Sequence, residues 1–171
     1  MQIPALPMQT GCRFRKMEVR DAEKILEIHS DIDTQHFTRL LRQQTLEDIK
    51  SWLQYYPHYD RHGFGLWAIE HIATETLAGL CGLRVRKDLN YQTDVSYRMH
   101  PKFRGRGIAT AAVSTCLNWG FEALKIKELL AQVHKDNVVS MHILTKQGFV
   151  KRSEDGIWVD LVLKSTVKTV K

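Results

Sequence analysis

The stretch that decides the fold is Pro101-Lys102-Phe103-Arg104-Gly105-Arg106-Gly107-Ile108-Ala109-Thr110. In the residues before it, 93–100, apolar side chains alternate with polar ones, which predicts a β-strand. Pro101 ends that strand because proline has no N–H group to donate to a sheet. In the residues after it, apolar side chains recur at helical spacing from Ala109 to Leu124, which predicts a helix. The stretch therefore connects a strand to the first turn of a helix.

This connecting loop has the chemical features of a phosphate-binding site. The first N–H groups of a helix have no partner inside the helix, and the helix dipole adds partial positive charge there. Gly105 and Gly107 have no Cβ, so the backbone can take unusual φ values and a ligand can come close. Arg104 and Arg106 add formal positive charge. The loop therefore predicts a cradle for phosphate oxygens, the alternative being that the glycines serve only turn geometry.

The composition is that of one globular domain. The chain has 171 residues, of which 43% are hydrophobic, and this suits a single domain with a sizeable core. We expect one domain over 1–171, with a loose N-terminal segment at 1–10 and a loose basic tail at 165–171. No apolar run approaches the ~20 residues of a membrane helix. The first residues lack the pattern of a signal peptide, so we expect no membrane association.

The net charge and the cysteines indicate which partners and which cellular compartment to expect. The net charge of +6 favours anionic partners in general. The charges are scattered, without zinc-finger spacing or an aromatic-basic stripe, so nucleic acid is not the expected partner. The three cysteines are an odd number, and Cys81 and Cys116 fall on apolar faces. This pattern predicts buried thiols in a reducing compartment, and hence a cytoplasmic protein.

Several elements are predicted before the loop. Asp21 would cap a first helix, and Thr45 and Asp48 form a variant of the capping box at the start of another. A first strand and the two strands of an antiparallel hairpin are predicted at 12–18, 64–70 and 77–85.

After the central helix, residues 125–134 predict a strand parallel to the one before the loop, because a helix separates the two. A helix follows from Asn137, with Gly148 as its stop. Residues 149–152 and 157–164 predict a final hairpin.

Three histidines raise the question of a metal site. His58, His62 and His71 would need a common face, and Gly63 and Gly65 break any helix that would align them. No cysteine or acidic third ligand is near, so we interpret them as exposed loop histidines and expect no metal.

The loop lacks the Gly-Lys-Ser/Thr ending of the nucleotide P-loop and the third glycine of the dinucleotide fingerprint. Arg104, Gly107 and Ala109 instead occupy the specified places of Arg/Gln-x-x-Gly-x-Gly/Ala. The loop thus resembles the pyrophosphate loop of the GNAT superfamily of N-acetyltransferases. Further resemblances to that superfamily, including the branch with the ribosomal-protein N-terminal acetyltransferases, lie at 66–69, 79–83, 97–101, 134–140 and 146–149.

The resemblance implies a fold and a reaction. The fold is α+β, a mixed α/β sandwich whose mostly antiparallel sheet contains one parallel strand pair splayed at the cofactor site, with helices on both faces. The reaction is transfer of an acetyl group from acetyl-CoA to a primary amine, either a protein N-terminus or a small molecule, by direct attack in a ternary complex. The cofactor-binding residues that it implies are Met99, Arg104, Gly105, Arg106, Gly107, Ile108, Ala109, Thr110 and Asn137.

The resemblance also bears on the catalytic groups. Many family members protonate the leaving thiolate from a tyrosine on the fourth helix, where this chain has Leu144. Ser140 is the implied substitute, since members of the ribosomal-protein branch have a serine there; a hydroxyl that only bonds the helix backbone is the alternative. Glu70 is the candidate base, with His100, Asp94 or a water chain as alternatives.

Two questions stay open in the sequence. The missing tyrosine also suits a catalytically inactive CoA-binding regulatory module. The acceptor amine is not named by any motif, and the oligomeric state is open, with a homodimer among the options.

Overall fold

The protein is described from a computed structural model that covers residues 4–39 and 44–165. The outermost parts of the two segments expected to be loose, 1–3 and 166–171, lie outside the described residues. Seven strands form one sheet: β1 Cys12–Arg15, β2 Leu66–His71, β3 Thr76–Arg86, β4 Gln92–Met99, β5 Glu128–His134, β6 Val150–Asp155 and β7 Trp158–Lys164. The α-helices of the described residues are α1 Ala22–Ser30, α2 Ile32–His36, α3 Leu46–Gln54, α4 His58–His62, α5 Ile108–Glu122 and α6 Val138–Lys146.

The sheet is mixed, with the strand order β1-β2-β3-β4-β5-β7-β6. Neighbouring strands pair antiparallel except β4 and β5, which are parallel. The two parallel strands are in register at one pair, Asp94 with Leu130, near their starts. They separate beyond that point, so the sheet opens at the carboxyl ends of β4 and β5. The α+β fold with one splayed parallel pair is confirmed.

The sheet separates two apolar cores, as β2 shows. Trp67 and Ile69 point to one face and pack in the core that includes α5 and α6. Leu66 and Ala68 point to the other face and pack with α1 and α3. Alternate strand residues point to opposite faces. We call these the α5 face and the α1 face.

Most of the predicted elements are confirmed. The hairpin of β2 and β3 and that of β6 and β7 lie where the alternation predicts them. Thr45 caps α3, with Asp48 completing the capping box. Gly148 follows α6 with a φ of +92°, the left-handed conformation expected of a helix stop.

Two expectations are wrong. The Asp21 side chain does not cap α1, because its carboxylate binds the Arg15 guanidinium and the Glu18 N–H instead. His58 and His62 begin and end α4, a short helix that closes before Gly63 rather than a loop. In the segment 1–10, which we expect to be loose, Leu6 is buried in the core on the α5 face.

Candidate active site

The loop between β4 and α5 is open in the way a phosphate cradle requires. Gly105 and Gly107 both have a φ of +73°, the left-handed region that favours glycine. An added Cβ would meet no atom within 4 Å at either position, so the space over the loop is free. Because α5 begins directly after Gly107, the N–H groups of Ile108, Ala109 and Thr110 have no acceptor within the helix. The backbone therefore presents a row of donors to this space.

The two arginines of the loop have different partners. The Arg104 guanidinium bonds to the Asp31 carboxylate, to Asp33 Oδ2 (3.1 Å) and to Thr34 Oγ1 (3.1 Å). This side chain ties the loop to the start of α2, so its charge is largely neutralised there. The Arg106 guanidinium lies 5.3 Å from the centre of the Phe103 ring, on an exposed part of the loop. Of the two loop arginines, Arg106 is thus the one that remains available to an anion.

Met99 directs its backbone into the gap between β4 and β5. His100 is opposite Ala78 of β3, and the His100 N–H donates to the Ala78 carbonyl at 2.9 Å. Along an antiparallel ladder, hydrogen-bonded pairs alternate with pairs that are not hydrogen-bonded, so the neighbour of His100 in β4 belongs to a pair that is not hydrogen-bonded. Met99, opposite Gly79, is that residue, so its N–H and C=O point away from β3 toward β5. The splay leaves them free to pair with a bound ligand.

Asn137 and Ser140 begin α6 at the other side of this gap. The Asn137 side-chain oxygen accepts from the Ser140 N–H at 3.0 Å, which is the N-cap interaction. The amide NH₂ of Asn137 is not used in that bond, so capping and ligand binding are compatible. Leu144, which stands where the family tyrosine is expected, is fully buried.

The Ser140 hydroxyl has a partner that the sequence did not suggest. Ser140 Oγ lies 2.7 Å from Tyr97 Oη on the α5 face of β4. Burial raises the pKa of Tyr97 to about 12, against a smaller opposing effect of the bond to Ser140. Tyr97 therefore keeps its proton near neutral pH and can donate it in this hydrogen bond.

Glu70 lies in a dense ion-pair network on the α1 face. Its Oε2 accepts from Arg13 Nε at 2.7 Å, and its Oε1 accepts from Arg15 Nε at 2.6 Å. Arg15 also makes two hydrogen bonds to Asp21, of 2.8 and 2.6 Å. Burial alone would raise the pKa of Glu70, but the bonds from Arg15 and Arg13 outweigh it, so that pKa lies below its ordinary value. The structure thus places Glu70 in a network that joins β1, β2 and the start of α1.

The other two candidate bases are also engaged. Asp94 accepts from Arg84 at 3.1 and 2.7 Å and from Arg86 at 2.9 Å, so both of its oxygens are occupied. The His100 ring lies 2.8 Å from the Glu27 carboxylate through Nε2, and its Nδ1 accepts from the Lys102 N–H at 3.3 Å.

A second group of polar residues, which sequence reasoning missed, lies on the α1 face at the same gap. Arg98 Nη1 lies 3.2 Å from His29 Nε2, and His29 Nδ1 lies 2.5 Å from Gln44 Oε1. Since arginine has only donors, His29 Nε2 accepts and the ring carries its proton on Nδ1. Burial, with the nearby Arg98 charge, lowers the pKa of His29 to about 4. Burial, with Arg84, also lowers the pKa of Arg98 to about 10.

An aromatic cluster borders the gap on its other side. His134 ends β5 and pairs in register with Trp158 of β7, so the two rings share the α1 face, with centres 5.5 Å apart. His36, the last residue of α2, and Phe37, which follows it, approach the His134 ring to 5.0 and 5.5 Å. The Arg39 guanidinium lies over the Trp158 ring at 4.7 Å. No periodicity in the sequence marks these residues, because they come from three separate parts of the chain.

Residues 4–39 and 44–165 contain neither a metal-binding cluster nor a membrane-spanning helix. Nowhere in these ranges do three or more His, Cys, Asp or Glu side chains come together in a way that could hold a metal ion. No helix in the same ranges is long and apolar enough to cross a membrane.

Comparison with known proteins assigns the chain to a family. Residues 12–150 match the family model described as an acetyltransferase (GNAT) domain. This range includes β1 to β5, the glycine loop and α6. The chain therefore belongs to the GNAT acetyltransferase family.

Individual relatives differ in what they are reported to act on. The chain is 27% identical to the uncharacterized N-acetyltransferase YoaA of Bacillus subtilis, over 81% of this chain and 78% of that protein. It is 30% identical to spermidine N(1)-acetyltransferase of Escherichia coli, over 45% of this chain and 41% of that enzyme. Among solved structures it resembles a ribosomal-protein-S5-alanine acetyltransferase of Vibrio fischeri, with a TM-score of 0.73 and 18% identity, over 91% and 94% of the two chains.

Proposed function

We propose that this protein transfers an acetyl group from acetyl-CoA to a primary amine, by direct attack within a ternary complex. The observation that carries the proposal is that two features lie side by side at the carboxyl ends of β4 and β5. The open glycine loop presents unpaired N–H groups at the start of α5. The Met99 N–H and C=O point into the adjacent gap between β4 and β5. Ligands of α/β folds bind at such carboxyl ends of parallel strands.

The residues present suit acetyl-CoA. The N–H groups of residues 105–110 would bind the pyrophosphate, with Arg106 as the available cation. The freed backbone of Met99 and the Asn137 NH₂ group would pair with the amides of the pantetheine arm. Bound acetyl-CoA supplies an activated thioester carbonyl. The Met99 N–H would donate to the carbonyl oxygen where negative charge develops.

Ser140 and Tyr97 would act on the leaving group. The Ser140 hydroxyl donates a hydrogen bond to the developing thiolate, and Tyr97 orients that hydroxyl from behind. A thiol has an ordinary pKa of ~8.5. Tyr97, with a pKa of about 12, is too weak an acid to protonate the thiolate outright. We therefore assign Ser140 as a hydrogen-bond donor and Tyr97 as a positioning residue.

For the acceptor amine we propose deprotonation through water. Glu70 and Asp94 both have their oxygens occupied by arginines, so neither carboxylate is free to contact the amine. We propose a structural role for Glu70, in place of the catalytic role that its position at the end of a strand suggested. The amine then loses its proton to solvent before attack, and the rate rises with pH as the neutral amine becomes populated.

A catalytically inactive CoA-binding module is the second candidate, and the buried Leu144 favours it. The test is the release of CoA in the presence of amines, which only the enzyme would show. For either candidate we propose a cytoplasmic location, which three buried, unbridged cysteines support because free thiols persist in reducing compartments.

The cofactor site is tested by Gly107→Glu, because the added carboxylate would repel the pyrophosphate. Gly63→Glu is the matched control, since Gly63 has a φ of +74°, is equally open, and lies after α4. Both variants bear the same backbone strain, about 1–2 kcal/mol. Acetyl-CoA at a hundred times its Kd should stabilise the wild type and Gly63→Glu by ~2.7 kcal/mol. It should stabilise Gly107→Glu much less.

Thermal unfolding with and without acetyl-CoA measures this. Absence of a shift in the wild type would contradict the proposed function. Equal shifts in both variants would show that acetyl-CoA binds away from the glycine loop.

A further inference from the structure

Arg98 carries a charge to which no carboxylate of the described residues is hydrogen-bonded. Within residues 4–39 and 44–165 its guanidinium makes one hydrogen bond, from Nη1 to His29 Nε2, and no carboxylate pairs with it. His29 is neutral in this arrangement, because burial keeps its pKa far below neutral pH. The Arg98 side chain is half-buried, and charges held partly away from water in proteins are ordinarily paired. The remaining donors of Arg98, at Nε and Nη2, are therefore available to a ligand.

The nearest acidic group does not fill this role. Asp94 is on the same strand and face, but its two oxygens accept three hydrogen bonds from Arg84 and Arg86. Arg86 is paired with Asp88 as well. Arg84 and Arg86 thus use both carboxylates on this part of the α1 face, and neither carboxylate bonds to Arg98. This part of the face has an excess of positive charge.

Arg98 also lies close to the place where the proposed reaction would occur. It directly precedes Met99, whose N–H points into the gap where the proposed function puts the thioester. Adjacent strand residues point to opposite faces, so the Arg98 side chain lies on the α1 face beside that gap. The aromatic cluster of His36, Phe37, His134 and Trp158 lies across the gap on the same face.

We propose that the acceptor is an amine that carries a carboxylate a few bonds from the nitrogen, and that Arg98 binds this carboxylate. This inference rests on the proposed function and names its substrate class. A guanidinium binds a carboxylate with two parallel N–H bonds, so it orients the molecule as well as attracting it. The aromatic cluster then contacts the carbon skeleton. A polyamine, which carries several positive charges, would be repelled by the same arginines.

The test compares acceptors that share a skeleton and differ in the carboxylate. L-phenylalanine is compared with L-phenylalaninamide and 2-phenylethylamine, and L-alanine with L-alaninamide, with spermidine as the polyamine. We expect kcat/KM for the acids to exceed that for the amides by about 10- to 100-fold, the effect of a hydrogen bond to a charged group. The amide amines lose their protons more readily, so intrinsic reactivity opposes the expected order.

Two variants separate binding from folding. Arg98→Gln should remove the preference for acids, whereas Arg98→Lys should retain part of it. Arg20→Gln, at a side chain that is 58% exposed, is the control and should leave the preference unchanged. Because Arg98→Gln removes a half-buried charge that bonds to no described carboxylate, it should not lower the melting temperature. A lowered melting temperature with an unchanged preference would show a merely structural role and overturn the inference.

Calorimetry on the CoA-saturated protein gives a second readout that does not depend on turnover. L-phenylalanine or L-alanine should bind the wild type at least tenfold more tightly than its amide does, and Arg98→Gln should lose this difference. Amides or spermidine binding as well as the acids, or better, would overturn the inference while leaving the acetyltransferase proposal intact. If acetyl-CoA neither binds nor is consumed, the proposed function fails, and this inference fails with it.

Discussion

At the scale of single residues, Ser140 and Tyr97 are the pair to which we assign the leaving-group chemistry. They are 43 positions apart in the chain, and their hydroxyl oxygens are 2.7 Å apart in the structure. The serine is at the start of α6, beside Asn137, and the tyrosine is on β4, two residues before Met99. The pair therefore spans the gap from which the thiolate would leave.

We expect Ser140→Ala to lower kcat by about 10- to 100-fold, because a hydrogen bond to a charged group contributes ~1.5–3 kcal/mol. KM for acetyl-CoA should change little, since the bond forms only as charge develops. Steady-state kinetics measures both constants. Thr145→Ala is the control, because Thr145 is an exposed hydroxyl on the same helix that bonds the Met141 carbonyl. A kcat equal to that of the control would exclude a role for Ser140.

Glu70 shows how tertiary contacts bear on a candidate base at this scale. A carboxylate at the end of a strand beside a cofactor loop suggests a base, but Arg13 and Arg15 occupy both of its oxygens. Their hydrogen bonds keep its pKa below the ordinary value despite burial. A group so held is a poor proton acceptor, and its effect is to join β1, β2 and the start of α1.

At the scale of elements, close backbone contact governs how β2 and β3 pair. A Cβ on Gly82 would lie 2.1 Å from the Gly65 carbonyl oxygen, and backbone atoms have little room to move. A Cβ on Gly120, in α5, would instead lie 2.9 Å from the end of the Leu83 side chain, which can rotate away.

We expect Gly82→Ala to lower the free energy of unfolding by roughly 3 kcal/mol, because β2 and β3 must separate to admit the methyl group. Gly120→Ala should stay within about 1 kcal/mol of the wild type, since the gain in helix propensity offsets the repacking of Leu83. Chemical denaturation of both variants tests the difference. A larger loss for Gly120→Ala would contradict this account of the two contacts.

At the scale of the whole molecule, a buried histidine makes stability depend on pH. His29 has a folded pKa of about 4, because burial and the Arg98 charge disfavour the protonated ring. An unfolded histidine has a pKa of ~6.5. Between these values the unfolded chain binds a proton that the folded chain does not. The contribution of His29 to the free energy of unfolding is therefore at its full value above pH ~6.5 and decreases as the pH falls toward 4.

We expect His29 to contribute a loss of roughly 3 kcal/mol across this window. The free energy of unfolding, measured at several pH values from 7.5 to 4, gives the slope for the wild type and for His29→Gln. Glutamine can accept from Arg98 and donate to Gln44 without titrating, so the variant should show a shallower slope. Parallel slopes would show that His29 does not titrate as the structure indicates.

Local pattern was sufficient to predict most of the fold. The alternation at 93–100, the helical spacing from Ala109, the Thr45 capping box and the turn at Gly148 each involve residues close in the chain. Their physical basis is equally local: the pleat of a strand, the pitch of a helix and the conformational freedom of glycine. For the same reason the open glycine loop and the Asn137 cap could be located from the sequence alone.

Tertiary structure decided what the polar side chains of the site do. Arg104 binds Asp33 and Thr34, which are 71 and 70 positions away, and Arg98 meets His29 across 69 positions. Such partners depend on how α1 and α2 pack over the sheet, and hydrophobic periodicity does not encode which polar groups then meet. The sequence by itself thus determined the strand–loop–helix that defines the family. Packing determined which arginines bond to carboxylates of the described residues, and that Arg98 does not, because burial and pairing exist only once distant segments come together.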